Sequence, residues 1–141
     1  MSTPAFLRRL DRETLVRLKP SPIAGVGVFA LRDIQLGADC FPGIKTDVET
    51  RFVSDDELAS SLAPATYKMV TDFCLPREED ATPGRYVYNS FHAMDVSYYL
   101  NHSETPNVEM WCDPLSTLCS FRAARDICAG EELLFDYRKE V

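Results

Sequence analysis

The stretch YYLNHSETPN, residues 98–107, constrains this chain most, because it places a histidine among turn-forming residues. His102 is one of two histidines, and it lies between an asparagine and a serine. The residue types alone allow three roles for it: a general base, a metal ligand, or part of a binding-site turn. A zinc site is disfavoured, because His92 lies ten residues away and no cysteine pair is nearby. In the turn interpretation, Asn101 and Ser103 bond to local backbone.

The chain as a whole is predicted to be mostly β. Segments rich in β-branched and aromatic residues predict strands at residues 14–19, 25–31, 85–88, 107–112 and 117–123. A hairpin turn is predicted at residues 113–116. Ser54, followed by three acidic residues, predicts a helix toward Leu62, and another turn or two of helix is expected after Pro64, through Phe73. Residues 76–84 are predicted to be an exposed loop.

Two glycine patterns add detail. LRDIQLG (residues 31–37) recurs as ARDICAG (residues 124–130), which indicates two similar corners in which the glycine supplies a positive φ. Gly25 and Gly27 form a GxG pattern that lets the main chain approach a ligand closely. A third glycine and a following helix are missing, so a dinucleotide-binding fingerprint is excluded.

Length and cysteine usage set further bounds. A chain of 141 residues predicts a single domain, residues 1–141. No apolar run approaches the ~20 residues of a membrane span and no apolar signal region is present, so we expect no membrane partner and retention in the compartment of synthesis. Five scattered cysteines without a CxxC fit free thiols in a reducing cytosol or nucleus. A cysteine hydrolase using Cys112 or Cys119 stays an alternative without a recognisable activating context.

The charge is uneven. The net charge is −7, and residues 45–80 contain nine acidic and four basic side chains. This segment argues against nucleic-acid binding, which needs clustered Lys and Arg. It suits a basic peptide partner, although acidic residues also serve solubility alone.

Four separated stretches resemble, in order, the motifs of the SET-domain protein lysine methyltransferases. IAGVGVFA (residues 23–30) resembles the first GxG motif, and Phe41-Pro42-Gly43 resembles the Y-x-G motif with Phe in place of Tyr. YYLNHSETPN resembles R-F-x-N-H-S-x-x-P-N, and GEELLFDY (residues 130–137) resembles G-E-E-L-x-F-D-Y. The resemblance extends from about Leu15 to Tyr137, and the last two motifs are highly specific.

This resemblance implies the SET-domain (β-clip) fold: small curved β-sheets, few short helices, a C-terminal pseudoknot, and a variable helical and acidic insert around residues 45–84. It implies S-adenosylmethionine as cofactor and no metal. The implied cofactor-binding residues are Ala24, Gly25, Val26, Gly27, Tyr98, Asn101 and His102. On this basis His102 is neither a base nor a metal ligand.

The implied activity is methyl transfer to the ε-amine of a lysine in a protein. Tyr137 takes the catalytic position, and the substrate channel is expected to be lined by Phe41, Tyr86, Tyr88, Met110 and Phe135. Deprotonating a lysine of pKa ~10.4 at neutral pH costs about 4–5 kcal/mol, and an apolar channel beside a sulfonium lowers that cost. In the family that the sequence resembles, the position of Phe135 is often Phe in enzymes that add two or three methyl groups, so the resemblance implies di- or trimethylation.

The sequence also departs from the family. Glu104 stands where many members have a zinc-binding cysteine, so we expect the zinc-binding post-SET element to be absent and the channel to be closed by a partner subunit or the acidic insert. The expected partner is a protein or peptide substrate that is basic, a histone among the candidates. We expect no nucleic acid, leave a homodimer open, and expect a cytoplasmic location, or a nuclear one in a eukaryote. The alternative function is a SET-fold binding module without activity.

Overall fold

The structure is a computed structural model that describes residues 1–43, 50–112 and 119–138. By its contacts, the chain divides into a first unit of residues 1–46 and 95–141 and a second unit of residues 47–94. The predicted turn at residues 113–116 lies outside the described residues. Within them, no helix is long and apolar enough to cross a membrane.

The described residues form mainly short strands. The strands are β1 Val16–Pro20, β2 Val26–Ala30, β3 Thr50–Ser54, β4 Arg77–Glu79, β5 Thr82–Tyr88, β6 Asn101–His102, β7 Val108–Cys112, β8 Cys119–Ala123 and β9 Glu132–Phe135. The helices are α1 Thr3–Glu13, α2 Asp55–Ser61 and α3 Pro64–Phe73, and 3₁₀ turns cover Phe91–Ala93 and Val96–Tyr99. The prediction of a mostly β fold with few short helices is confirmed.

Helix α1 was not predicted. Its start is marked by Ser2, whose hydroxyl accepts a hydrogen bond from the amide of Ala5 at 3.2 Å, and by Pro4 in the first turn. Thr14, expected in the first strand, instead follows the helix and donates its hydroxyl to the carbonyl of Leu10 at 2.5 Å. A capping side chain therefore overrides the β-branched preference of Thr14.

The prediction of a loop at residues 76–84 is wrong. Strands β4 and β5 pair antiparallel, with Glu79 opposite Thr82. The two residues between them, Asp80 and Ala81, have φ of 50° and 64°. Such a two-residue turn with two positive φ values matches the right-handed twist of its strands, and it forms here without the glycine that usually announces it.

The second unit combines a sheet of order β3-β5-β4 with helices α2 and α3. The predicted helix start is confirmed, since Ser54 accepts a hydrogen bond from the amide of Glu57 at 3.2 Å. Pro64 begins α3, which is longer than the turn or two expected. Leu58 and Val70 are buried at the centre of this unit, so both helices are anchored by apolar side chains.

The first unit is built on a sheet of order β1-β2-β9-β7-β8. Strand β9 lies at its centre: it pairs antiparallel with β2 and parallel with both β6 and β7. The segment between β6 and β7 also bonds to it, because the amides of Ser103 and Asn107 donate to the carbonyls of Phe135 and Leu134, each at 3.1 Å. Residues 101–107 of the first motif therefore lie along β9, which belongs to the GEELLFDY motif at residues 130–137.

The two repeated corners pair with each other. Ile34 and Ile127 form an antiparallel bridge, and each amide donates to the other's carbonyl at 2.8 Å. Gly37 and Gly130 have φ of 83° and 90°, so the predicted positive φ at both corners is confirmed. Both isoleucines are buried, and the repeat therefore closes one part of the core.

Candidate active site

Asn107 joins the 98–107 segment to β9. Its side chain is 2% exposed. Its Nδ2 donates to the carbonyl of Glu132 at 2.9 Å, and its Oδ1 accepts from the amide of Leu134 at 2.7 Å. An asparagine side chain offers the same donor and acceptor as a peptide group, so Asn107 extends the strand pairing at a point where the main chain turns away.

His102 contacts the main chain and the ring of Tyr137, which lies just after β9. Its Nδ1 accepts a hydrogen bond from the amide of Tyr137 at 3.1 Å. Its ring centroid lies 5.1 Å from that of Tyr137. An accepting Nδ1 places the proton of the neutral ring on Nε2, where no described residue accepts it. Among the described residues, no three His, Cys, Asp or Glu side chains are grouped to hold a metal ion.

Asp136 is a buried carboxylate, 1% exposed, beside this pair. Arg138 donates to it through Nε and Nη2 at 3.0 and 2.9 Å and through its amide at 3.0 Å. These hydrogen bonds from Arg138 hold the pKa of Asp136 well below its usual range. Nη1 of the same guanidinium lies 3.4 Å from the carboxylate of Glu104. Glu104 thus forms an ion pair with Arg138.

Asn101 lies against the glycine-containing segment. Its Nδ2 donates to the carbonyls of Ala24 and Val26 at 3.1 and 3.4 Å, and to the carboxylate of Glu132 at 2.9 Å. Gly25 has a φ of 45°, and a Cβ built on it would meet no atom within 4 Å. The predicted cofactor residues 24–27 and 101 are therefore brought together, with open space over Gly25.

Glu132 was missed by the sequence analysis. It is half-buried, and Ser21 donates its hydroxyl to both carboxylate oxygens at 2.9 Å. Its alternation with buried Leu133 predicts only that it lies on the other face of β9. The position of Glu132 within the GEEL motif was the one available signal.

Tyr137 is 36% exposed, and its hydroxyl donates to the carbonyl of Leu100. Burial raises the pKa of this phenol, so the hydroxyl stays protonated at neutral pH. Both the amide and the hydroxyl of Tyr137 therefore donate hydrogen bonds to residues 100–102.

Aromatic rings continue from Tyr137 into the first unit. Phe135 lies 5.8 Å from Tyr137 and packs edge-on against Phe121 at 5.3 Å. Phe121 in turn meets Phe41 edge-on at 5.9 Å. Met110 is the cross-strand partner of Phe121. Three predicted channel residues thus share one cluster, which Phe121, absent from the prediction, connects.

The remaining predicted site residues lie elsewhere along the chain. Tyr86 and Tyr88 are on β5 of the second unit, where Tyr86 donates its hydroxyl to Glu79 at 2.9 Å. Tyr98 is half-buried in the Val96–Tyr99 turn of the first unit. The roles of all three stay predictions.

The buried cysteines are poor nucleophiles. Burial, with a smaller contribution from Asp39, raises the pKa of Cys40 to about 12. Burial raises the pKa of Cys74 to about 11, although Arg85 opposes this rise. Both thiols are therefore protonated at neutral pH. The side chains of Cys112 and Cys119 lie outside the described residues.

The site fits a ligand that donates hydrogen bonds, and it leaves room for that ligand over the main chain at Gly25. No described residue donates to Asn101 Oδ1, since the hydrogen bonds of this side chain all involve Nδ2. An amino-acid ammonium is a matching donor, and Nε2 of His102 is a matching partner for an acceptor.

The family model of the SET domain matches residues 25–138. No curated protein sequence is significantly similar to the chain.

Solved structures share the fold. A candidate histone methyltransferase of Plasmodium falciparum matches with a TM-score of 0.52 and 19% identity, over 86% of this chain and 91% of that one. A humanized mutant of the Chaetomium thermophilum Polycomb Repressive Complex 2, bound to an inhibitor, matches with a TM-score of 0.55 and 25% identity. The apo form of that complex with mutations in Ezh2 matches with a TM-score of 0.56 and 25% identity. Each alignment with this complex covers 86% of the present chain but only 14% or 15% of the other.

Proposed function

Because this chain belongs to the SET-domain family, we propose that it is a protein lysine methyltransferase that uses S-adenosylmethionine. The observation that carries the proposal is the hydrogen bond from the Tyr137 amide to His102 Nδ1, 3.1 Å long. It joins the candidate cofactor residue to the candidate catalytic tyrosine, so the two halves of the reaction are held side by side.

Asn101, His102 and the backbone of residues 24–27 are the residues that hold the cofactor in this proposal. The open space over Gly25 allows close approach to the main chain. When bound, S-adenosylmethionine supplies an electrophilic methyl group on a sulfonium. The protein contributes position, because an in-line transfer to an amine depends on how the two reactants are oriented.

Tyr137 orients the lysine amine in this proposal and does not remove its proton. The raised pKa of its phenol argues against a tyrosinate base. The lysine loses its proton to water before transfer, and the aromatic surroundings favour the neutral amine by desolvation. In this proposal Phe41 and Phe135, which are 7% and 4% exposed, form the apolar wall beside the lysine amine.

The substrate is proposed to be a basic protein segment, with histones as the first candidates. The support is the charge of helix α2, whose first turn contains Asp55, Asp56 and Glu57. Opposite charge across an interface steers association and increases specificity.

The test has two stages. Isothermal titration of the purified chain with S-adenosylmethionine is expected to show stoichiometric binding. Labelled cofactor is then expected to transfer methyl to lysines in histones or in a whole-proteome mixture. Binding without any transfer would assign the chain to the alternative class of SET-fold binding modules, and the absence of binding would refute the cofactor proposal.

A further inference from the structure

We propose that Glu132 is a positioning residue whose carboxylate fixes the amide of Asn101, so that the Asn101 oxygen faces the cofactor. The inference rests on the proposed function, and it adds a residue to which the sequence analysis assigned no role. It follows from three hydrogen bonds to one carboxylate and from the close approach of Gly27 to that carboxylate.

The amide of Asn101 has only one favourable orientation. Three acceptors lie around Nδ2: the carbonyls of Ala24 and Val26 at 3.1 and 3.4 Å, and Glu132 Oε2 at 2.9 Å. An amide nitrogen has two hydrogens, so three acceptors fully use this end of the side chain. A flipped amide would set Oδ1 against three oxygens, one of them charged.

The carboxylate of Glu132 is itself held in place. Ser21 donates its hydroxyl to both oxygens at 2.9 Å. Above it lies Gly27, where a Cβ would come within 2.2 Å of Glu132 Oε2 and 3.1 Å of Asn101 Nδ2. A side chain at position 27 would therefore displace the Glu132 carboxylate, whereas Gly25 adjoins open space.

Two effects on the cofactor follow from this arrangement. The orientation leaves Asn101 Oδ1 as an acceptor to which no described residue donates, and the ammonium of S-adenosylmethionine is a suitable donor. The half-buried carboxylate also contributes a negative charge near a cofactor that carries two positive groups. The first effect needs an acceptor at position 132, and the second needs a charge.

The experiment separates these effects with two variants. Glu132→Ala removes the acceptor, and we expect cofactor affinity to fall about tenfold or more, the usual effect of losing a hydrogen bond to a charged group. Glu132→Gln keeps an acceptor oxygen for Asn101, and its amide NH2 can donate to the Ser21 hydroxyl, so we expect affinity within about threefold of wild type. Glu131→Gln is the matched control, because the carboxylate of Glu131 pairs with Arg125 at 3.0 Å. This variant is expected to leave the affinity for the cofactor unchanged.

Two readouts distinguish positioning from a purely structural role. The Michaelis constant for the cofactor is expected to rise in Glu132→Ala, while that for the protein substrate stays unchanged. The side-chain amide resonance of Asn101, observed by ¹⁵N–¹H NMR, is expected to shift in Glu132→Ala and to stay in place in Glu131→Gln. A lower melting temperature with unchanged cofactor affinity would overturn the proposal.

The outcomes also separate this inference from the proposed function. A wild-type protein that binds no S-adenosylmethionine refutes both. Wild-type binding that Glu132→Ala leaves intact refutes the role of Glu132 alone. If Glu132→Ala does not fold, Ser21→Ala is the substitute. It removes the hydroxyl that donates to both carboxylate oxygens and is expected to weaken cofactor binding about threefold. Unchanged binding in this variant contradicts the proposal.

Discussion

Asp33 and Asp126 cap each other's corners. The amide of Ala129 donates to Asp33 Oδ1, and the amide of Leu36 donates to Asp126 Oδ1, each at 2.8 Å. The repeated sequence pattern therefore encodes a reciprocal pair of hydrogen bonds on either side of one bridge.

The capping predicts equal costs at the two corners. Asp33→Ala and Asp126→Ala should each lower the free energy of unfolding by about 1 kcal/mol, because each leaves one amide without its acceptor. Gln35→Ala, in the same turn, removes no side-chain hydrogen bond to a described residue and serves as the control. Urea denaturation measures all three, and a cost at one corner only would contradict the reciprocal arrangement.

Tyr137→Phe should separate binding from transfer. The variant loses the hydrogen bond to Leu100 and the hydroxyl that orients the amine, so methyl transfer should fall roughly 10²-fold while cofactor affinity stays within a few-fold. Single-turnover kinetics and calorimetry provide the two measurements. Tyr67→Phe, in the second unit, is the control and should retain full activity. An unimpaired Tyr137→Phe enzyme would remove this hydroxyl from the mechanism.

Asp136 should contribute an acid-sensitive part of the stability. Its folded-state pKa is lowered, first of all by hydrogen bonds from Arg138. The unfolded chain therefore binds this proton more readily, and the stabilisation present above about pH 5 is lost progressively as the pH falls through the lowered folded-state pKa. Melting temperatures of wild type should decline more steeply over this range than those of Asp136→Asn. Parallel curves would show that Asp136 contributes nothing to the acid response.

Phe135→Tyr should change how many methyl groups are added. An added hydroxyl can hold a water beside the amine and hinder a methylated nitrogen from rotating into line. Wild type should reach di- or trimethyl-lysine, and the variant should shift toward monomethyl-lysine without losing activity. Met110, cross-strand from Phe121, is flexible enough to take up part of the space. Mass spectrometry of a peptide driven to completion decides, and wild-type product that stops at one methyl would defeat the argument.

The acidic turn of α2 should act on substrate capture. Asp55 lies 3.9 Å from Arg85, whereas Asp56 and Glu57 are exposed. Neutralising Asp56 and Glu57 together should lower kcat/KM more than kcat, and salt should reduce the difference, since charges are screened over about 8 Å at physiological ionic strength. Glu78→Gln, on β4, is the control. A KM that does not respond to salt would assign these residues to solubility.

Short sequence patterns predicted the structural features that depend mainly on neighbouring residues. Strands β1, β2, β7 and β8, part of β5, the Ser54 helix start and the positive φ at two corner glycines follow from side-chain shape and from nearby capping. Strands β3, β4, β6 and β9 were not predicted from such patterns. The turn at Asp80 and Ala81 escaped prediction, because neither residue usually adopts a positive φ and the pairing of β4 with β5 imposes it.

The parts of the site that were missed are long-range contacts. Ser21 and Glu132 are 111 positions apart, and no periodicity relates them. Phe121 was recognised as a strand residue, but only the packing of β8 beside Phe41 and Phe135 shows that it connects the aromatic cluster. The resemblance to family motifs identified Asn101 and Tyr137 as site residues. It did not indicate that Tyr137 donates a hydrogen bond to His102.

The central position of β9 has a consequence for the order of folding. Residues 101–108 find their partners in residues 132–137, so their hydrogen bonds cannot form until that later segment has been synthesised. Contacts of such sequence separation close slowly, because loop entropy is lost before any pairing compensates for it. Strand β9 must in addition pair with β2, where Val28 and Leu133 are 105 positions apart. The pairings of the second unit span at most 38 positions, from Thr50 to Tyr88, so this unit can form earlier. Pulse-labelled hydrogen exchange should therefore show protection at Leu58 and Val70 before it shows protection at Leu134.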